Sequence, residues 1–158
     1  MNTPIVTTQK TSSRYLISKL MFDAIFLIIG IYFFSLVDDL SAQWRYDLID
    51  TVKRAGWIFV ILGLAFAVYH VMASQTYVDI YADRLEGKGM QKFTAQSISL
   101  RFDQVTDISL SKGFMNVEVS GLIGFLVIST VAGSYKIVTT TERAKEIIDF
   151  YKKEQGKA

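Results

Sequence analysis

Two unbroken apolar runs constrain this chain more than any other feature. Residues 20–37 read LMFDAIFLIIGIYFFSLV and residues 55–72 read AGWIFVILGLAFAVYHVM. The first holds one formal charge, Asp23, and the second none beyond the titratable His70. At a rise of about 1.5 Å per residue, a helix over either run is roughly 27 Å long, close to the hydrocarbon thickness of a bilayer. A soluble fold of 158 residues has no interior large enough to hide two such helices. The runs therefore predict a membrane protein with two spanning helices, at about 20–37 and 55–72, folded as a hairpin. A basic stretch precedes the first run, as in a cleaved leader. Leu40-Ser41-Ala42 is a poor cleavage site, however, and the run is long for a leader's apolar core, so it reads as an anchor.

Composition then divides the chain. Residues 1–74 make an N-terminal arm and the hairpin, and residues 75–158 have the make-up of a small soluble domain with its own core. No cysteine is present, which removes disulfides, thiolate catalysis and zinc–thiolate sites. The net charge of +2, with no basic cluster interleaved by aromatics, argues against nucleic acid as a partner. The flanks that must share a side of the membrane hold Lys10, Arg14, Lys19, Arg84, Lys88 and Lys92, whereas the connecting loop holds Arg45, Lys53 and Arg54. Six against three places both termini in the cytoplasm.

Within the connection, Ser41 is a candidate N-cap for a long second helix. Leu40, Trp44, Leu48 and Val52 recur every fourth residue, an amphipathic stripe running into the second span. From Gln75 the period changes to two. Seven strands are expected, at 75–82, 84–93, 97–103, 105–112, 114–120, 124–131 and 134–139. Ile98, Leu100 and Phe102 alternate with polar neighbours, and so do Met115, Val117 and Val119. Turn residues separate the strands, at Asp83-Arg84, Ser111-Lys112-Gly113, Gly121 and Ala132-Gly133-Ser134. A helix closes the chain. Thr139 and Glu142 have capping-box spacing, Ala144, Ile147, Ile148 and Tyr151 form one apolar face, and Gly156 can end it.

This order of elements resembles that of a pleckstrin-homology-like (PH-like) domain. Tyr77-Val-Asp-Ile-Tyr-Ala-Asp-Arg-Leu85 looks like the opening strand and turn of bacterial PH-like domains. Ile98-Ser-Leu-Arg-Phe-Asp-Gln-Val105 resembles a following strand. Gly121-Leu-Ile-Gly-Phe-Leu-Val-Ile-Ser-Thr130 and Tyr135-Lys-Ile-Val138 are similar to the last strand pair. The resemblance implies a membrane α plus soluble β protein of the bacterial inner membrane: a two-helix transmembrane hairpin, then a PH-like seven-stranded antiparallel β barrel or sandwich with a C-terminal capping helix. It also implies a non-catalytic adaptor that binds lipid head groups, peptides or its own kind. Phosphoinositide-binding members carry a basic pair after the first hairpin; here the strand reads Ser99-Leu-Arg101, and the pair is missing.

Three sets of residues stand out. Asp23 and His70 fall at the same depth of an antiparallel hairpin. They read either as an interhelical hydrogen bond or as part of an ion path, and Lys19 is a competing partner for Asp23. Gly56, Gly63, Ala67 and Ser74 form a small-residue stripe, for packing on the first helix or on another subunit. Arg84, Lys88 and Lys92 lie on the first hairpin of the domain, where they are a solvated edge or a lipid head-group contact. No catalytic constellation, cofactor motif, metal cluster or small-molecule site is visible. The expected function is a non-enzymatic scaffold, an accessory or self-assembling subunit of a membrane complex, with the bilayer and other membrane chains or copies of itself as partners. The alternatives are an anionic-lipid sensor and a channel or transport subunit.

Overall fold

The computed structural model describes residues 3–8, 13–111 and 123–156. The chain divides into two compact units, Ser13–Val71 and a second made of Met1–Ser12 with Met72–Ala158.

The first unit is built from helix α1 (Ser13–Ala42) and most of helix α2 (Tyr46–Ser74). Both are long and apolar enough to cross a membrane, and only 11% of the most apolar window of each is buried within the chain. That low figure separates them from the core helices of a soluble protein, whose apolar residues are covered by other elements. Glycines let the two helices meet closely. A Cβ on Gly30 would stand 2.7 Å from Val60 Cγ2, one on Gly56 would stand 3.0 Å from the Phe34 ring, and one on Gly63 would stand 2.9 Å from Leu27 Cδ2. Phe26, Phe33 and Phe34 pack on Phe59, Phe66 and Trp57 with ring centroids 5.4 to 6.2 Å apart.

The connection differs from its sequence reading. Ser41 does not cap α2, because it lies in the last turn of α1. The Arg45 N–H donates to the Leu40 carbonyl at 2.9 Å and the Trp44 N–H to that of Ser41 at 3.2 Å, while Trp44 sits at φ 60°. This is the Schellman pattern that ends a helix with a left-handed residue. The Leu40–Trp44–Leu48–Val52 stripe is therefore split across a tight turn, since a four-residue spacing carries no record of a chain reversal.

The second unit is a curled antiparallel seven-stranded sheet with a helix against it. Strand β1 (Val6–Thr7) pairs β2 (Tyr77–Ile80), and β2 pairs β3 (Arg84–Gln91). One edge of β3 is taken along its length by β4 (Thr94–Arg101). The other edge is shared: β2 takes Leu85 to Lys88, and β7 (Gly133–Thr140) takes Met90. β7 continues to β6 (Ile123–Thr130) and β6 to β5 (Val105–Ser111). Splitting one long strand between two neighbours needs a close approach at Gly87, where a Cβ would lie 2.2 Å from the Tyr77 carbonyl oxygen. The strand expected at 114–120 lies outside the described residues. Among the described residues, the sheet also takes in β1, from the arm that precedes the hairpin.

The core gathers the inward positions of the strands: Val78, Ile80, Leu85, Ile98, Val105, Ile108, Leu126, Ile128 and Ile137. Helix α3 (Thr141–Gln155) closes it with Ala144, Ile147 and Tyr151, whose hydroxyl donates to the Val105 carbonyl at 2.8 Å. The cap of α3 is Thr140, which accepts from the Arg143 N–H at 3.3 Å, and not the Thr139–Glu142 box. The ladder of β7 with β6 persists to Thr140, opposite Ile123, so the chain leaves the sheet one residue later than the motif suggests.

Because β1 precedes the helical hairpin and β2 follows it, the hairpin is an insertion between two paired strands. Thr8 fastens this junction. Its hydroxyl donates to the Val78 carbonyl at 3.0 Å and accepts from the Val78 N–H at 2.7 Å. Thr76 does the same where α2 passes into β2, donating to the Ala73 carbonyl at 2.7 Å and accepting from the Val138 N–H at 2.9 Å. Both side chains are buried, so each satisfies backbone groups that water cannot reach.

Candidate functional site

Asp23 lies on the second turn after Leu16, where the apolar stretch of α1 opens, and His70 lies one turn before the end of α2. An antiparallel hairpin brings these positions level, and the structure joins them: His70 Nδ1 and Asp23 Oδ2 are 2.7 Å apart. Asp23 is 2% exposed and turned into the hairpin's own interior, where Gly63 leaves room beside its backbone. Among the described residues, no donor reaches the second oxygen, Oδ1. In an apolar setting such a pair is a strong local tie, because separating it strands one buried polar group.

Two members of the small-residue stripe meet α1 directly. Gly56 and Gly63 are buried against α1, and Gly30, on α1 itself, completes that contact. Ala67 is half-buried, and Ser74 ends α2 within the second unit. Gly30 lies outside the stripe on α2, and a glycine within the first apolar run is its signal in the sequence.

The basic trio is spread at four-residue intervals along β3 and the turn after it. Arg84 opens β3, and Lys92 follows its last residue, roughly 26 Å away at the usual strand rise. Arg84 is engaged locally. Its Nε lies 2.6 Å from Glu86 Oε1, its Nη1 lies 3.2 Å from Asp83 Oδ1, and its guanidinium sits over the Tyr81 ring at 5.1 Å. Hydrogen bonding and charge from Glu86, then the charge of Asp83, raise its pKa above the ordinary arginine value. Lys88 pairs in register with Tyr77 and Ser97, midway along the strand.

Among the described residues, no group of three or more histidine, cysteine or acidic side chains is placed to hold a metal ion. No family model matches the chain, and no curated protein or solved structure matches it.

Proposed function

We propose that this is a non-catalytic membrane-anchored scaffold, an accessory or self-assembling subunit of a bacterial inner-membrane complex, with a PH-like domain on the cytoplasmic side. The observation that carries the reading is the insertion of the hairpin between β1 and β2. A domain held by a single tether can swing freely. Here both chain ends of the hairpin run into neighbouring strands, so both flanks of the hairpin share one side and the sheet is held at two points. That suits a module joined to its membrane anchor through two chain connections rather than one. The mostly uncovered flanks of α1 and α2 offer apolar area to lipid or to neighbouring helices. The basic-residue balance supports the cytoplasmic assignment.

The test is the mass of the intact assembly extracted from membranes in mild detergent. A defined oligomer, or a mixed complex of fixed stoichiometry, is expected. A single chain without partners, at membrane concentrations matching those in cells, overturns the scaffold reading.

A further inference from the structure

We propose that Trp44 and Tyr46, at the tip of the helical hairpin, bind the head-group layer of the bilayer and hold that end of the hairpin at the membrane surface. The proposal goes beyond assembly and rests only on the part of the previous reading that places the hairpin in a membrane. Both rings belong to the Ser13–Val71 unit.

Trp44 occupies the left-handed position of the turn that ends α1, at φ 60°. Helices fill that position with glycine, or less often asparagine, because a Cβ there crowds the backbone. A bulky aromatic residue in it is a genuine outlier. The strain wins no burial within the chain, since Trp44 is 79% exposed. Its ring packs edge-on with Tyr46, centroids 6.1 Å apart, and Tyr46 is itself 58% exposed. Glycine would close the same turn without strain. A strained residue that keeps a large ring uncovered points to something outside the chain that receives the ring.

Helix length identifies the partner. The apolar helices Leu16–Ala42 and Tyr46–Ser74 have 27 and 29 residues. At about 1.5 Å per residue they run roughly 40 and 43 Å. That is the thickness of a bilayer with its head groups, about 40–45 Å, whereas the hydrocarbon alone takes about 30 Å. The runs 20–37 and 55–72 fill the hydrocarbon, and the helix beyond them toward the tip turns polar, with Asp38, Asp39, Asp47, Asp50, Lys53 and Arg54. The tip therefore comes level with the head groups. Indole and phenol rings settle there, because each joins a large apolar area to one polar atom.

Charge does not choose the lipid. Residues 38–54 set four aspartates against Arg45, Lys53 and Arg54, and Arg45 Nε lies 3.2 Å from Asp47 Oδ1 beside the two rings. The occupant is thus the phospholipid interface itself, held through the rings, and not an anionic surface.

Trp44 and Trp57 are the two tryptophans of the chain, so each can report alone. Trp57 faces outward from the apolar run of α2. Full-length Trp57→Phe and Trp44→Phe are each reconstituted as one chain per nanodisc, in phosphatidylcholine bearing a nitroxide on the head group or midway down an acyl chain. Trp44, in Trp57→Phe, should be quenched several-fold more by the head-group nitroxide than by the acyl-chain one. Aqueous acrylamide should quench it several-fold less than tryptophan in solution. Trp57, in Trp44→Phe, should show the reverse preference between the nitroxides. Adding phosphatidylglycerol should change neither result, and a dependence on it overturns the charge-independent contact. Trp44 open to acrylamide and untouched by both nitroxides overturns the contact, while quenching of Trp57 by lipid leaves the inserted hairpin standing. No lipid quenching at Trp57 removes both. Trp44 shielded from acrylamide and from both nitroxides is covered by protein, against the lipid assignment. Trp44→Gly/Tyr46→Ser removes both rings and the strain, and should shift the ratio of the two quenchings at Trp57 away from its value in Trp44→Phe. An unmoved ratio overturns the holding role.

Discussion

The two units of this molecule wear their apolar side chains on opposite sides. In the helical unit large side chains such as Ile28, Ile31, Trp57 and Ile61 face outward, and the interface is kept thin by Gly30, Gly56 and Gly63. In the sheet unit Ile80, Leu85, Leu126, Ile137 and Ile147 are fully enclosed. Burial in water drives the second arrangement. In lipid that force is missing between helices, and close backbone contact with a polar tie takes its place. The contrast shows which unit stands by its own core and which depends on its surroundings.

The largest expected effect is in the enclosed unit. Ile147→Ala should destabilise the sheet by about 4 kcal/mol, as for other large-to-small changes in packed cores. Hydrogen exchange at β3 and β7 amides of the full chain would report it, with the amides of α1 unchanged. Gly87→Ala should cost about 3 kcal/mol by the same measurement, because the new Cβ meets the Tyr77 carbonyl rather than a yielding side chain. If exchange in the helical unit rose equally in either variant, the two units would be one cooperative body and the contrast would fail.

Smaller effects probe the ties. A double-mutant cycle with Asp23→Asn and His70→Ala should give a coupling of about 1 kcal/mol in detergent unfolding of the helices, within the range of buried membrane hydrogen bonds. Thr140→Ala should loosen α3 by about 1 kcal/mol through loss of its cap.

Much of this layout was legible from local pattern. Two long apolar runs, a change of period after Gln75 and an apolar face from Ala144 to Tyr151 each reflect a residue's own solvent preference. The pairing of Asp23 with His70 was also foreseeable, because two ionisable groups at one depth of an antiparallel hairpin have few other partners. The Thr139–Thr140 shift was not legible: adjacent threonines are equivalent until the β6 ladder decides where the strand stops. Trp44 was misread for a related reason, as a left-handed residue inside a periodic apolar pattern looks like one more helical turn.

Solvent preference written along the chain was enough to separate an outward-facing apolar pair of helices from an inward-packing sheet, since each residue carries that preference wherever it is placed. Three-dimensional closure alone put Val6 and Thr7 beside Asp79 and Ile80, across the whole hairpin. It also brought Gln91 against Gly133 and set Arg84 and Lys92 at the two ends of β3. Those outcomes depend on which backbone edges meet, and edge pairing is settled by hydrogen-bond register between segments that hold no information about one another until they touch.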